Sequence, residues 1–320
     1  EVEGSMKSLW RMALVSTIAT YVLIFIGGLV RVSGAGLGCP DWPKCFGRWM
    51  PPTDVRQLPP DIDPSRFNFT LAWIEYTNRL SGVIVGLLIA ATAVLALVRA
   101  RRTPGILWPA VAAGLLTALQ GWQGRAVITS ELAPLVVTVH TVLALVIVSL
   151  LIWAAAGAYR QVHPREAGEG LAAWAQRRLL LLWGLAIVQV MLGTRVREGL
   201  EAMREDHPAW SAAKAIMAIG AVSHLHMALG IVVAAVTWWT GRGLLRAPGG
   251  SAPAVRQAAV AAMVLVGLQI LSGLTFIFWD IPPVVQVFHL WIASLYIGTL
   301  LLALAAARQP GPVPAGEMRG

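Results

Sequence analysis

Three histidines lie deep inside long apolar stretches of this sequence: His140, His226 and His289. A fourth, His224, is two residues away from His226. An imidazole in hydrocarbon is costly unless its polar atoms are satisfied, so a histidine within a membrane segment indicates a functional site. Histidines on separate helices can hold heme iron from its two faces. The alternative for each of them is a hydrogen bond to the backbone of a neighbouring helix.

The composition predicts that these histidines lie within a bilayer. Of the 320 residues, 57% are hydrophobic and 13% are charged, whereas soluble domains carry about 25% charged residues. Runs of about 20 apolar residues are long enough to cross a membrane. Such runs occur near residues 10–30, 71–98, 105–127, 134–158, 177–196, 216–239, 257–278 and 284–307. The sequence therefore predicts an all-α polytopic membrane protein with eight transmembrane helices.

Basic residues collect at alternate ends of these segments. They are Lys7, Arg11, Arg99, Arg101, Arg102, Arg160, Arg165, Arg177, Arg178, Arg242, Arg246, Arg256, Arg308 and Arg319. By the positive-inside rule we expect a bacterial-type plasma (inner) membrane protein with both termini in the cytoplasm. The net charge of +9 then reports topology, and no nucleic-acid binding is expected. The residues before Met6 are interpreted as a cloning remnant, and the first segment, which lacks a cleavage site, as a retained helix.

An internal repeat relates the first four segments to the last four. The matched pairs are Gln120-x-x-x-Gly124 and Gln269-x-x-x-Gly273, His140-x-x-x-Ala144 and His289-x-x-x-Ala293, Gly27-x-x-Val30-Arg31 and Gly193-x-x-Val196-Arg197, and Asn78-x-x-x-Gly82 and His226-x-x-x-Gly230. Each match is weak alone, because small residues are common in membrane helices. Together they predict two pseudo-equivalent four-helix bundles, residues 7–160 and 171–308, each with an interior site near its external end.

Charged residues at the predicted external ends are further candidates for the site. The arginines there are Arg31, Arg79, Arg125 and Arg197. Each could pair with a heme propionate or could simply extend towards the membrane surface. Glu75 begins the second segment, on the same helix face as Asn78. It is interpreted either as a proton acceptor or substrate-positioning group, or as an ion-pair partner of Arg79 or Arg125.

The longest external loop, residues 34–70, contains the two cysteines of the chain, Cys39 and Cys45. On the oxidising side of a membrane a disulfide is expected. It would act either as a staple for this proline-rich loop or in a redox role. Two thiols without a nearby histidine are too few for a metal site. A quinone-linked thiol oxidoreductase is disfavoured, because it needs a second cysteine pair to relay electrons.

Together these motifs resemble those of the heme A synthase family, membrane enzymes that make heme A from heme O. The resemblance rests on GGLVRVSGAGLGCPDWPKCFG at 27–47, IEYTNRLSG at 74–82, the histidines of segments 4 and 8, and the duplicated plan. It runs from about Leu9 to Ala307. It implies a b-type heme in the C-terminal bundle. It also implies oxidation of the C8 methyl group of heme O to a formyl group in the N-terminal bundle.

The resemblance also implies roles for individual residues and partners. His226 and His289 would hold the iron of heme b, with His224 as the alternative to His226, while His140 and Glu75 would form the catalytic site. Heme O and heme A would be substrate and product, and the reaction would be a step in cytochrome oxidase assembly. A heme O synthase, a terminal oxidase and further copies of the chain are the implied partners, in a lipid bilayer.

One motif departs from the family. The usual Glu-x-x-His-Arg of the second helix reads EYTNR at 75–79, with Asn78 in the histidine position. Asparagine is a poor ligand for heme iron, so His140 is expected to be the only imidazole ligand in the N-terminal bundle. That leaves either an open face for exchange of substrate and product, or a divergent member that binds heme without turnover. The rival function is accordingly a non-enzymatic membrane b-type cytochrome or heme-binding assembly factor.

Overall fold

A computed structural model of the protein describes residues 2–163, 171–247 and 253–306. The α-helices are α1 (Val2–Val32), α2 (Phe69–Arg99), α3 (Pro104–Thr129), α4 (Pro134–Val162), α5 (Ala173–Asp206), α6 (Ala212–Ala218), α7 (Ala221–Leu245), α8 (Pro253–Phe278) and α9 (Pro283–Ala306). Within these ranges, eight helices, all except α6, are long and apolar enough to cross a membrane. The predicted class, all-α with eight spans, is confirmed.

Two helices differ from the approximate bounds of their predicted segments. The segment predicted near 216–239 is not one continuous helix: residues 216–218 belong to α6, and α7 begins at Ala221 after Gly220, which adopts a positive φ of 82°. Glycine accepts this backbone conformation without steric cost. The segment predicted to end at 196 continues as helix to Asp206. Its polar extension is supported by the ion pair of Arg197 with Glu201, one helical turn apart.

Proline marks the start of four helices at matched places in the two halves. Pro104 and Pro134 open α3 and α4, and Pro253 and Pro283 open α8 and α9. Proline suits the first helical turn, because it has no N–H to leave unpaired and its φ is already helical. These prolines fix where α4 and α9 begin, so that the histidine of each helix falls in its second turn.

The eight long helices form two sets with the same pattern of contacts. In the first set, contacts link α1 to α2, α2 to α3, α3 to α4 and α4 back to α1. In the second set they link α5 to α7, α7 to α8, α8 to α9 and α9 back to α5. We call these sets the N-terminal ring and the C-terminal ring. They meet where α9 contacts α1 and α4, and where α4 contacts α5. The division into separate units at 7–160 and 171–308 stays a prediction.

The basic ends of the helices lie together on one side of the molecule. Arg99, at the end of α2, donates to the carbonyl of Ser5 in α1 at 3.1 Å. Arg160, near the end of α4, donates to the carbonyl of Ala305 in α9 at 2.6 Å. The cytoplasmic orientation of this side stays a prediction. Arg165, Arg308 and Arg319, which contributed to it, lie outside the described residues.

Side-chain packing is densest away from the histidines. In α4 most of the buried residues lie between Leu145 and Ala158, and in α9 between Ser294 and Ala305. The turns that carry His140 and His289 are more open, and both imidazoles are only partly buried. A cofactor held between helices needs such an opening, and here it lies at the end of each ring remote from the arginine-rich side.

Candidate functional site

A side chain of α3 holds His140 and determines the tautomer of its neutral imidazole. Its Nδ1 lies 2.9 Å from Oε1 of Gln123, which is buried. The amide of Gln123 is oriented by its other end, which donates from Nε2 to the carbonyl of Val136 at 3.0 Å. An amide oxygen can only accept, so Nδ1 of His140 carries the hydrogen. The lone pair is therefore on Nε2, the nitrogen that a metal would bind.

His289 is held in the same way by α8. Its Nδ1 lies 2.8 Å from Oγ of Ser272, and that hydroxyl also lies 2.8 Å from the carbonyl of Leu268. A hydroxyl has a single hydrogen. Donated to Leu268, it leaves the oxygen of Ser272 to accept from Nδ1–H of His289. In that arrangement the lone pair of the neutral ring is on Nε2, as in His140. The ring rests edge-on against Phe276, with 5.3 Å between centroids.

His226 and His224 have different surroundings on α7. The ring of His226 packs against α5 at Gly193, where an added Cβ would lie 3.1 Å from its Cε1. Its Nδ1 is buried and has no hydrogen-bond partner among the described residues. His224 is exposed, and its Nδ1 lies 2.8 Å from the carbonyl of Gly220 at the start of the same helix. Two residues correspond to about 200° around a helix, so only His226 is turned towards its neighbours in the C-terminal ring.

The histidines of the C-terminal ring come from helices at opposite corners. His226 is on α7 and His289 is on α9, and contacts link both helices to α8 on one side and to α5 on the other. A pair of imidazoles on helices at opposite corners of a ring is a donor set that fits a six-coordinate heme iron.

The matching corners of the N-terminal ring carry Asn78 on α2 and His140 on α4. The side chain of Asn78 is partly buried and forms no hydrogen bond within the described ranges. A Cβ added at Gly82 or at Gly124 would meet no atom within 4 Å. The residues on these corners therefore fit a heme held by one imidazole.

Glu75 is paired with Arg79, as one of the two sequence interpretations proposed. Glu75 is 4% exposed, and its Oε1 accepts from Nε of Arg79 at 2.8 Å. The guanidinium of Arg79 also donates to the backbone carbonyls of Asp41, Lys44 and Cys39, at 2.7, 2.9 and 3.2 Å. Arg79 thus joins the carboxylate to the external loop. One of its five N–H groups remains for any propionate.

The external loop is built around the predicted disulfide, which is confirmed between Cys39 and Cys45. Inside this small ring the carboxylate of Asp41 accepts from the backbone N–H groups of Phe46 and Gly47, at 2.6 and 2.9 Å. Gly38 leaves no room for a side chain, because a Cβ there would lie 2.3 Å from the carbonyl oxygen of Leu71. The loop is therefore pressed directly onto the first turn of α2, next to Glu75.

The other three arginines have unequal surroundings. Arg31 of α1 and Arg197 of α5 both pair with Glu201, at 2.6 and 3.1 Å. Arg197 also donates to Oε1 of Gln286 at 2.6 Å. Arg125 is exposed, and its side chain has no hydrogen bond or ion pair in the described part of the chain. The predicted pairing of these arginines with propionates stays a prediction.

Sequence analysis missed three residues of this arrangement. Gln123 and Ser272 hold the imidazoles, and each follows the repeat glutamine of its helix by three residues. That equal position in the repeat is the signal that could have identified them. Glu201, which links the two rings through the arginines, has no counterpart in the repeat. Its spacing of four residues from Arg197 was the only available signal.

The chain is similar in sequence to known proteins. The model of the COX15-CtaA family, described as cytochrome oxidase assembly protein, matches residues 10–301. Heme A synthase of Shewanella oneidensis is 31% identical over 202 residues, which are 59% of this chain and 56% of that protein. Heme A synthase of Cereibacter sphaeroides is 32% identical over 231 residues, 63% of this chain and 56% of that protein. For the Paracoccus denitrificans protein of the same name the identity is 29% over 223 residues, 61% and 56% of the two chains. The chain spans a little over half the length of these curated relatives.

Proposed function

We propose that this protein oxidises the C8 methyl group of heme O to a formyl group, producing heme A. The chain belongs to the COX15-CtaA family of cytochrome oxidase assembly proteins, which supports the proposal. The reaction is placed in the N-terminal ring at His140 and Glu75. A b-type heme in the C-terminal ring, bound by His226 and His289, takes part in electron transfer. Curated relatives named heme A synthase support this assignment.

The observation that supports the proposal most directly is the hydrogen-bonding of the His140 and His289 imidazoles through Nδ1. Oε1 of Gln123 accepts from Nδ1 of His140, and Oγ of Ser272 lies 2.8 Å from Nδ1 of His289. In the described part of the chain neither ring has a hydrogen-bond partner at Nε2, so this nitrogen is free for a metal. A partner that fixes the tautomer through the other nitrogen is typical of metal-binding histidine.

In the N-terminal ring, His140 binds the substrate heme and Glu75 accepts a proton. When bound, the heme iron supplies the redox chemistry of the conversion. Conversion of a methyl group to a formyl group takes up one oxygen atom and removes four electrons; with water as the oxygen source and an external electron acceptor it also releases four protons, so a group that accepts a proton is needed nearby. Glu75 is the buried carboxylate of this ring, one helical turn from Asn78 towards the external end. Arg79 keeps its carboxylate in place and anchors the loop that covers it.

Asn78 favours exchange of substrate and product in this ring, whereas a histidine at this position would bind the iron and slow that exchange. With His140 as the only imidazole, one face of the iron stays open and the substrate is held by one ligand bond fewer. Substrate and product must exchange in an enzyme, whereas a permanent electron carrier keeps its heme. The same residue also favours the second candidate, a membrane b-type cytochrome or heme-binding assembly factor, because a ring with one imidazole need not turn over.

Pigment analysis separates these two functions. The protein is expressed together with a heme O synthase, and the hemes are extracted and separated by chromatography. Heme A in the extract supports the enzyme, and its amount should fall in the His140→Ala variant. Heme B together with unchanged heme O would contradict the enzyme and leave the cytochrome or assembly factor.

The setting of this activity is part of the proposal. The basic side of the molecule faces the cytoplasm, as do both termini, so that the histidines and the disulfide loop lie towards the external face of a bacterial plasma membrane. A heme O synthase would deliver the substrate, a terminal oxidase would receive the product, and the chain would associate with copies of itself. Labelling of Cys-substituted loops from either side of the membrane tests the orientation.

A further inference from the structure

Each of the three membrane histidines receives a hydrogen bond on its own backbone carbonyl from a glutamine of the preceding long helix. Nε2 of Gln120 in α3 donates to His140 O at 3.0 Å, Nε2 of Gln189 in α5 donates to His226 O at 2.8 Å, and Nε2 of Gln269 in α8 donates to His289 O at 2.5 Å. The same contact thus occurs at three helix pairs that are distant in sequence. It is separate from the bonds that hold the imidazole nitrogens.

A two-helix sequence pattern accompanies the contact. Each glutamine is followed after four residues by glycine, as in Gln189-x-x-x-Gly193, and each histidine is followed after four residues by glycine or alanine. The histidine carbonyl already accepts from the N–H four residues later in its own helix. A second donor can reach that carbonyl only if the residue at this position is small. At Gly230 an added Cβ would lie 3.1 Å from Nε2 of Gln189.

The glycine of the glutamine helix makes room for the imidazole itself. An added Cβ would lie 3.1 Å from Cε1 of His226 at Gly193, and 3.9 Å from Cε1 of His289 at Gly273. The glutamine therefore fixes the backbone of the histidine helix, and in the C-terminal ring the glycine one turn later lies beside the imidazole, whereas Gly124 in the N-terminal ring meets no atom within 4 Å. Together they determine how far the histidine helix is rotated and how deep its imidazole lies.

The fourth helix pair, α1 with α2, lacks both partners of this contact. Asn78 stands at the histidine position, with Gly82 four residues later. On α1, the residue four before Gly27 is Leu23, where α5 has Gln189. Leu23 packs against an apolar cluster that includes Val85 and Ile89 of α2. Glutamine is thus present at the three pairs that have a histidine, and absent at the one pair that does not.

Packing alone does not explain the glutamines. Oε1 of Gln120 and Oε1 of Gln189 are buried without a hydrogen-bond partner among the described residues. An amide oxygen in that situation is unfavourable compared with an apolar side chain. Leu23 shows that an apolar residue is accommodated at the equivalent place. The common feature of the three glutamines is the bond to a histidine carbonyl.

We infer that Gln120, Gln189 and Gln269 are positioning residues, each of which sets the rotation and depth of one heme-binding histidine through its backbone carbonyl. This inference rests on the proposed function, because it takes the three histidines to be heme ligands. A ligand bond to iron is sensitive to small displacements, and a constellation held loosely by its support loses function. The glutamines bond to the backbone carbonyls of the histidines and not to their ring nitrogens, so they act through the helix that they hold.

Methionine substitutions test the inference in the C-terminal ring. Gln189→Met and Gln269→Met keep the length and approximate volume of the side chain but remove the donor. The full-length protein is purified with its b-type heme, and heme content and the electron paramagnetic resonance spectrum are measured. We expect a several-fold lower heme content and shifted g values of the low-spin signal, because the imidazole planes are no longer fixed. Gln176→Met is the matched control, since it lies on α5 but bonds only to the carbonyl of Leu171.

The outcomes separate this inference from the function on which it rests. Unchanged heme content and g values in both methionine variants would overturn the inference while leaving heme binding intact. An unaltered protein without a low-spin heme that depends on His226 and His289 would overturn both. Shifted spectra in monodisperse variants whose thermal stability matches that of the control support the inference.

A second test adds the missing glutamine–histidine contact to the N-terminal ring, and it applies even if the methionine variants fail to fold. Asn78→His places an imidazole on α2, and adding Leu23→Gln supplies the missing donor. The double variant should bind heme more tightly than Asn78→His alone, with a larger low-spin fraction. Equal affinity and equal spin state in the single and double variants would contradict the inference.

Discussion

The two rings share the prolines that open their last two helices and the glutamine–histidine contact between those helices, yet their first helix pairs and their external ends differ. In the C-terminal ring, the segment between the first two spans is the short stretch around α6, and both ligand positions carry a histidine, His226 on α7 and His289 on α9. In the N-terminal ring, the corresponding segment is the long loop with the disulfide, and one of the imidazoles is replaced by Asn78. Glu75 and Arg79 connect that loop to the part of α2 that carries Asn78.

This difference suggests how one duplicated bundle can serve two purposes. A heme with two imidazole ligands is held firmly and keeps six coordination, which suits an electron carrier. A heme with one imidazole, a nearby buried carboxylate and a loop above it suits a reacting molecule that must enter and leave. Variants that remove or add a ligand or a carboxylate in one ring test this contrast.

The largest effect is expected from His289→Ala, which removes one of the two imidazoles of the C-terminal ring. The low-spin b-type heme signal should disappear from purified protein, because a six-coordinate iron loses an axial ligand. Optical and paramagnetic resonance spectra, together with the heme-to-protein ratio, measure the change. His224→Ala is the control and should keep the signal, since His224 is exposed and bonded to Gly220. Loss of the signal in the control instead would move the ligand from His226 to His224.

A large effect confined to the other ring is expected from Glu75→Gln. The amide can still accept from Arg79, so the loop stays anchored, but it cannot take up a proton. Conversion of heme O to heme A should fall by about 100-fold, the usual contribution of a general base. The ratio of the two hemes in pigment extracts measures conversion, and the b-type heme spectrum should be unchanged. The control is Glu131→Gln, an exposed carboxylate beyond the end of α3. Full conversion in the Glu75 variant would exclude its role as a base.

An intermediate effect is expected from Asn78→His, which makes the two rings more alike. A second imidazole opposite His140 should shift heme in the N-terminal ring towards low spin and slow its exchange, and conversion should fall several-fold. Spectra of protein loaded with heme O measure the spin state, and transfer of heme to apomyoglobin measures exchange. Thr77→His, an exposed neighbour on α2, should change neither. A high-spin, freely exchanging heme in the Asn78 variant would show that this corner does not face the iron.

The contrast between the rings could be predicted from sequence only in part. The helices, the repeat, the disulfide and the replacement of His226 by Asn78 in the first ring follow from composition and spacing. The break at Gly220 could not be predicted, because hydropathy continues across it while the backbone does not. Nor could the ion pair of Arg31 with Glu201, because it joins helices of different rings and depends on their packing. Spacing revealed Gln120 and Gln269 as repeat markers but not Gln189, and the contact of all three with the histidine carbonyls required coordinates.

The smallest effect is expected from removal of the disulfide by Cys39→Ser together with Cys45→Ser. Closing so short a loop stabilises it by about 2 kcal/mol in the chain-entropy account. Loss of that constraint raises the open population of the loop roughly 30-fold, and limited proteolysis within 34–70 should accelerate accordingly. Asp41 and Arg79 still hold the loop by their hydrogen bonds to its backbone, so conversion should decrease only modestly. The b-type heme, which lies in the other ring, should keep its spectrum. A double variant that lost this heme would show that the loop supports both rings, and the proposed division of work between them would be wrong.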